Sequence, residues 1–194
     1  MNDVAHDGVS QGEVVVRSPW LTQGYLNEPE KSEELWRGGW LHTGDVGVID
    51  SEGYLKIVDR IKDVVKTGGE WVSSLDIEDL VLRMPGIAEA AVVGVPDERW
   101  GERPVCFVVC KAAARGAAEP RTRFASTCRN SPERGAISKF AVPDRVYFVD
   151  AIPKTSVGKL DKKVIRARLA DTGALTGTDH EPVPRTPAGD ALRR

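Results

Sequence analysis

Two charged segments in the first third of the chain contain residues that could bind hydroxyl groups or act as a hinge. In His42–Asp45 (HTGD) a carboxylate follows a glycine at the start of a predicted strand, where its two oxygens can accept hydrogen bonds from a vicinal diol. An Asp in an ordinary turn would explain the same residues. The segment Asp59–Asp63 (DRIKD) has four charges in five residues. It is either a solvated linker or an exposed hinge whose backbone angles change at little packing cost.

A third segment, Lys66–Trp71 (KTGGEW), places two adjacent glycines between charged and aromatic residues. Adjacent glycines let the backbone approach a ligand closely, because they carry no Cβ and adopt positive φ freely. Lys62 and Lys66 would favour an anionic ligand at this point. A tight hairpin turn explains the same glycines, so both interpretations stay open.

The fourth segment is Ile152–Leu160 (IPKTSVGKL), whose Gly-Lys pair suggests a phosphate-binding loop. The P-loop pattern fails here, because Pro153 and Leu160 stand where that pattern needs Gly and Ser or Thr. Lys159 lies in a loop rich in Thr, Ser and Gly, which we expect to be mobile. Such a lysine can act as a removable positive charge that stabilises a phosphate gaining charge in a transition state.

The elements before these segments are short strands, predicted at Glu13–Arg17, 46–49 and 54–58. The last two flank 50–53 (DSEG), which has Asp and Gly where a hairpin turn prefers them. Three or four strands without a covering helix bury too little area to stand alone. We therefore expect them to belong to the edge of something larger.

A helix and several buried strands are predicted in the rest of the chain. Ser73 can cap the helix with Asp76 as capping-box partner, and Asp161 can cap a short final helix. The expected strands are 88–95, 105–110 and 146–149. Residues 111–136 are expected to form a poorly determined helix or loop, and residues 173–194 a disordered tail rich in Pro, Gly and charge.

The overall composition suits a soluble globular protein and excludes several classes. The 194 residues are 41% hydrophobic and 29% charged, and 27 basic against 29 acidic side chains give a formal net charge of −2. This balance argues against a nucleic-acid binder. No apolar run reaches the roughly 20 residues that cross a bilayer, and the polar N-terminus does not resemble a signal peptide. Three cysteines give no disulfide framework or metal-ligand spacing. We expect a cytoplasmic protein without a metal site of its own.

Taken together and in this order, the segments resemble the C-terminal part of the adenylate-forming superfamily, which includes acyl-CoA synthetases, luciferases and peptide-synthetase adenylation domains. The matching sequences are GYLNEPEKSEELWRGGWLHTGD, IVDRIKDVVKTGGEWVSSLDIED, AAVVGVPDERWGERP and IPKTSVGKLDKKVIR. GGEW followed by VSSLDIED is most similar to the medium- and long-chain fatty acyl-CoA synthetases. The resemblance implies an α+β fold, with residues 1–61 as a β-rich remnant of a large AMP-binding domain and residues 62–172 as a small mobile domain.

The resemblance also implies two half-reactions that use ATP, Mg²⁺ and coenzyme A. A carboxylic acid first attacks the ATP α-phosphate to give acyl-AMP and pyrophosphate, and the thiol of coenzyme A then displaces AMP. Between the two steps the small domain rotates about a hinge that matches Lys62. Asp45 would hold the ribose hydroxyls, Arg60 the ribose or a phosphate, and Lys62, Lys66 and Trp71 would also contact the nucleotide.

Two further sets of residues are implied by the same resemblance. Gly68, Gly69 and Glu70 would line the face presented for thioester formation, where Gly69 gives the pantetheine tunnel close access to the backbone. Lys159 matches the catalytic lysine that engages the carboxylate and the α-phosphate during adenylation.

The chain departs from the family in what it does not contain. It has no Ser/Thr/Gly-rich phosphate loop, no Tyr-Gly-x-Thr-Glu segment for the Mg²⁺-linked Glu, and no acyl pocket. We therefore expect a fatty acyl-CoA ligase fragment that is inactive by itself and would bind nucleotide, coenzyme A and acid only when completed by a large domain. The alternative is a non-catalytic remnant or an interaction module that docks on a partner ligase chain.

Overall fold

The computed structural model of the protein describes residues 3–112, 141–143, 145–172 and 180–182. The chain divides into two compact units, Met1–Val64 and Val65–Arg194. Helices and strands are mixed in both units, which confirms the α+β class. None of the helices in the described ranges is long and apolar enough to cross a membrane.

The first unit is built on a three-stranded antiparallel sheet in the order β1–β2–β3. The strands are β1 (Gly12–Val16), β2 (Leu41–Ile49) and β3 (Leu55–Arg60). Helix α1 (Pro29–Leu35) and a 3-10 turn (Arg37–Gly39) lie between the first two strands.

The turn between β2 and β3 forms as its residue types predict. The Asp50 carbonyl oxygen accepts a hydrogen bond from the Gly53 backbone N–H at 3.0 Å. Asp50 Oδ1 also accepts from the backbone N–H groups of Glu52 at 3.0 Å and Tyr54 at 2.9 Å. Asp50 thus accepts hydrogen bonds from backbone N–H groups that have no partner on the neighbouring strand within the tight turn. The strands then pair antiparallel with one register shift between Val46 and Gly47, which leaves Asp45 opposite Arg60.

The second unit contains the other elements of the described residues. These are β4 (Val65–Thr67), β5 (Glu70–Val72), α2 (Ser74–Leu82), β6 (Ile87–Asp97), β7 (Gly101–Cys110), β8 (Arg145–Phe148), α3 (Lys162–Thr172) and β9 (His180–Pro182). The long β6–β7 pair is antiparallel, and β8 adds to β7 in parallel. The predicted disordered tail therefore contains one short strand, β9, which pairs with β8. The rest of that tail and residues 113–136 lie outside the described residues.

The β6–β7 pair is buried on both of its faces. Alternate residues fall into two apolar clusters, with Val92 and Cys106 in one and Val93 and Phe107 in the other. Because both faces are covered, these strands have continuous apolar runs rather than alternating patterns. The first cluster includes Ile77 and Val81 of α2, and the second includes Ile165 of α3. The two helices therefore cover opposite faces of the sheet.

Both helices that cover this sheet begin at the predicted caps. Ser73 Oγ accepts a hydrogen bond from the Asp76 backbone N–H at 3.1 Å. Asp161 Oδ1 accepts one from the Val164 backbone N–H at 3.1 Å. Each cap satisfies a donor that the first helical turn leaves unpaired.

Candidate functional site

Asp45 and Arg60 lie side by side on neighbouring strands of the first unit. Arg60 Nε is 3.4 Å from Asp45 Oδ1, and the two side chains are 60% and 34% exposed. An ion pair this open contributes no more than about 1 kcal/mol to folding. The pair instead presents a carboxylate that can accept from a diol and a guanidinium that can donate to phosphate.

The irregular part of β2 that carries Asp45, where the β1–β2 register shifts, is held by a carboxylate from β1. Glu13 Oε2 lies 2.7 Å from His42 Nδ1, and Glu13 Oε1 accepts from the Gly44 backbone N–H at 3.3 Å. The other ring nitrogen, His42 Nε2, lies 3.0 Å from the carbonyl oxygen of Arg37. The histidine thus joins β1 to the 3-10 turn and holds the backbone just before Asp45.

Two further hydrogen bonds set the backbone at Asp45 itself. The Thr43 hydroxyl donates to the carbonyl oxygen of Val14 at 2.7 Å and accepts from the Asp45 backbone N–H at 3.1 Å. Gly44 has a φ of +71°, which a residue with a Cβ adopts only at a cost. The HTGD sequence therefore folds into one fixed conformation that orients the Asp45 carboxylate.

Lys62, the predicted hinge residue, lies exposed in the turn that follows β3. The backbone N–H groups of Asp63 and Val64 both donate to the carbonyl oxygen of Arg60 at 2.8 Å, which closes this turn. The boundary between the two units follows Val64. Rotation about Lys62 stays a prediction.

The two glycines of the third segment form the turn of the β4–β5 hairpin. Gly68 and Gly69 have φ values of +60° and +83°, and they separate the register partners Thr67 and Glu70. Two central residues with positive φ are typical of a type I′ turn, so the hairpin interpretation is correct. A Cβ added at Gly69 would meet no atom within 4 Å. The backbone there is open, so the same turn can also admit a ligand.

Lys66 and Trp71 are register partners on this hairpin. Lys66 Nζ lies 5.7 Å from the centre of the Trp71 ring, a cation–π distance. The Trp71 side chain is 39% exposed, and Glu70 is exposed beside it. The hairpin presents an aromatic face, a cation and a carboxylate to solvent.

Lys159 lies in a loop that is more closed than its composition predicts. Lys154 and Leu160 form an antiparallel bridge, and the Thr155 backbone N–H donates to the Lys159 carbonyl oxygen at 2.7 Å. The Thr155 hydroxyl accepts from the Lys159 backbone N–H at 3.2 Å. The Lys159 side chain itself is exposed. These bonds hold the Lys159 backbone in place and leave its side chain open to solvent.

The structure brings some of the predicted residues together and keeps others on separate elements. Asp45 pairs with Arg60 in the first unit, and Lys66 stacks near Trp71 in the second. Lys159 lies on its own loop between β8 and α3. The described residues contain no group of three or more His, Cys, Asp or Glu side chains suited to a metal ion. We therefore assign no Mg²⁺ ligand to them.

Two carboxylates with low exposure were not singled out from the sequence. Glu13, which holds the HTGD segment, is the acidic residue of an otherwise apolar strand, and Glu78 lies beside Ile77 on a helix face that is largely buried. A charge inside an apolar pattern is the available signal, because a buried carboxylate needs a partner. The partners themselves are distant in sequence.

Comparison with known proteins gives a family match within the second unit. Residues 76–159 match the family described as the AMP-binding enzyme C-terminal domain. The chain is 42% identical over 177 residues to 3-methylmercaptopropionyl-CoA ligase from Ruegeria lacuscaerulensis, covering 91% of this chain and 30% of that ligase. The chain thus spans about 30% of the length of this curated relative.

Solved structures agree with this match. ATP-bound MatB from Rhodopseudomonas palustris has a TM-score of 0.68 and 33% identity, over 87% of this chain and 33% of that one. A fatty acyl CoA synthetase from Mycobacterium tuberculosis has a TM-score of 0.55 and 37% identity, over 88% and 34% of the two chains. Residues 76–159 of the protein therefore match the AMP-binding enzyme C-terminal domain, and the chain resembles the C-terminal part of adenylate-forming enzymes.

Proposed function

We propose that this chain is the mobile C-terminal part of an ATP-dependent acyl-CoA ligase. The observation that carries the proposal is Lys159, whose exposed side chain stands on a hydrogen-bonded loop at the end of the matched family region. An ammonium group presented this way can be brought to a nucleotide by the domain and then withdrawn. The relatives named above as a CoA ligase and a CoA synthetase support the same reaction class.

In the first half-reaction an acid oxygen bonds to the α-phosphorus of ATP, and the bond to the pyrophosphate oxygen breaks. Negative charge grows on the α-phosphate oxygens, where Lys159 stabilises it. Asp45 holds the ribose hydroxyls, and Arg60 steadies the ribose or a phosphate. Loss of one such preorganised cation typically slows a reaction roughly 100-fold or more.

In the second half-reaction the thiol of coenzyme A loses its proton to solvent and attacks the acyl carbon, and AMP leaves with the bonding electrons. The open turn at Gly68 and Gly69 would then face the pantetheine arm, with Glu70 beside it. Lys66 and Trp71 offer a cation and a ring face to the nucleotide. This exchange of faces requires the second unit to turn about Lys62, which lies in the exposed turn before the unit boundary.

A graft experiment tests the proposal. The 194-residue chain is joined to the part of the Ruegeria lacuscaerulensis ligase that it does not match. Ligation is measured with 3-methylmercaptopropionate, ATP, Mg²⁺ and coenzyme A. We expect the graft to form the thioester and the 194-residue chain alone to release no pyrophosphate. Turnover by the chain alone, abolished by Lys159→Ala, would show that the chain is a complete enzyme.

The substrate class is proposed as fatty acids, because the GGEW and VSSLDIED sequences are most similar to those of fatty acyl-CoA synthetases. The corresponding graft uses the unmatched part of the Mycobacterium tuberculosis synthetase and a panel of C4 to C18 acids. If the chain is of the fatty acyl branch, it should restore this synthetase more fully than it restores the Ruegeria ligase. If it is a non-catalytic interaction module, neither graft should ligate any acid.

A further inference from the structure

A buried ion pair lies at the first residue of α3, outside the residues that have been assigned a role above. Lys162 Nζ is 2.8 Å from Glu78 Oε1, and the two side chains are only 10% and 7% exposed. Lys162 Nζ also donates to Ser74 Oγ at 2.7 Å. Glu78 Oε1 accepts a further hydrogen bond from the Val92 backbone N–H at 2.7 Å. The pair therefore joins α3 to α2 and to β6.

The position of this ion pair explains why the first residue of α3 has a side chain as long as that of Lys162. The two helices cover opposite faces of the sheet, so a contact between them has to pass around a sheet edge. In the described part of the chain β6 pairs with β7, and the Val92 N–H turns away from that ladder to reach Glu78. Lys162 thus crosses the edge of β6, and the ion pair covers an N–H that would otherwise be open.

Buried ion pairs are poor devices for stability, because desolvation of both charges offsets their attraction and apolar replacements often do as well. Their directional hydrogen bonds nevertheless fix a geometry that apolar contacts leave free. Here Glu78 and Ser74 together fix the position of the Lys162 ammonium group, and with it the start of α3.

The start of α3 and the loop that carries Lys159 are one connected piece. The Asp161 backbone N–H donates to the Pro153 carbonyl oxygen at 2.8 Å, which closes the loop. Asp161 Oδ1 meanwhile caps α3 through the Val164 N–H. Lys162 follows Asp161 directly. A shift of Lys162 is therefore transmitted to Lys159, three residues earlier.

We propose that Lys162, held by Glu78 and Ser74, is a positioning residue that sets the location of Lys159 for the adenylation step; this rests on the proposed function. The pair does not contact the reacting atoms. Removal of the Lys162–Glu78 pair should slow adenylation roughly 10- to 100-fold, because misplacing a catalytic group by about 1 Å can lower a rate by that factor. Thioester formation from preformed acyl-AMP, which uses the other face of the domain, should be unaffected.

The test uses the Ruegeria graft and measures both half-reactions for a set of variants. Lys162→Met leaves Glu78 buried without its cation and can unfold the domain. The main variant is therefore the double change Lys162→Met with Glu78→Gln, in which the amide oxygen still accepts from Val92. The conservative variant Lys162→Arg, which keeps a cation beside Glu78, should have a higher adenylation rate than the double variant. Lys163→Met, a neighbouring exposed lysine on α3, is the matched control.

The outcomes separate this inference from the proposed function. Selective loss of adenylation in the double variant, with an unchanged thermal melt, supports the positioning role. Equal loss of both half-reactions in the double variant, or no loss of either, overturns the positioning role. If Lys159→Ala abolishes adenylation in the same experiment, the proposed function is not affected by that result. A wild-type graft that does not ligate overturns the proposed function and this inference with it.

Discussion

Replacing Glu13 by alanine should loosen the irregular part of β2 that orients Asp45 without unfolding the sheet around it. The Glu13 and His42 side chains are 21% and 9% exposed, and their contact is 2.7 Å long. A hydrogen bond to a charged, poorly exposed acceptor contributes about 1.5–3 kcal/mol. The 3.3 Å contact with the Gly44 N–H adds little. A loss of about 2 kcal/mol corresponds to a roughly 30-fold larger equilibrium constant for local opening of this part of β2.

Amide hydrogen exchange at Gly44 and Asp45 measures this opening directly. Glu52→Ala is the control, because Glu52 is an exposed carboxylate in the turn between β2 and β3 of the same sheet. In Glu13→Ala we expect faster exchange at the Gly44 and Asp45 amides than in the wild type. In the Glu52→Ala control the exchange rates of these two amides should not change. Unchanged exchange at Gly44 in Glu13→Ala would refute the role given to Glu13.

Two further predictions concern stability. Ile165 is completely buried against the sheet, so Ile165→Ala should lower the free energy of unfolding in urea by about 2–5 kcal/mol; a cost below that range would show that α3 is not packed as described. The Asp7 carboxylate accepts hydrogen bonds from the Ser10 N–H and hydroxyl and from the Val9 N–H, which lower its pKa from 3.8 to about 2. Because the folded pKa is depressed, its contribution is present above about pH 4 and is lost as the pH falls through 2. Asp7→Asn should remove this dependence, and an NMR titration midpoint near 3.8 would contradict it.

Features set by neighbouring residues were predictable from the sequence. The Ser73 and Asp161 caps and the Asp50–Gly53 turn depend on side chains within four residues of the groups they bind. Helix α1 was missed because its sequence, PEKSEEL, has too few apolar residues to show helical periodicity. Its Pro29 lies at the first turn, where a proline is tolerated, and this was the available signal.

Features set by distant residues were not predictable from the sequence. Glu13 and His42 are 29 positions apart, and Ser74 and Lys162 are 88 apart. No local pattern states which strand or helix brings such residues together. The closed form of the Lys159 loop has a similar cause, because its Thr, Ser and Gly residues predict flexibility while the Lys154–Leu160 bridge depends on how the loop ends meet.

The most direct test of the role of Lys159 compares the rates of the two half-reactions in Lys159→Ala. In the Ruegeria graft, pyrophosphate release from ATP and acid reports adenylation, and thioester formation from preformed acyl-AMP reports the second step. We expect Lys159→Ala to slow the first step roughly 100-fold or more and to leave the second unchanged, with Lys163→Ala changing neither. Equal slowing of both steps would contradict a lysine that the domain delivers for adenylation and then withdraws.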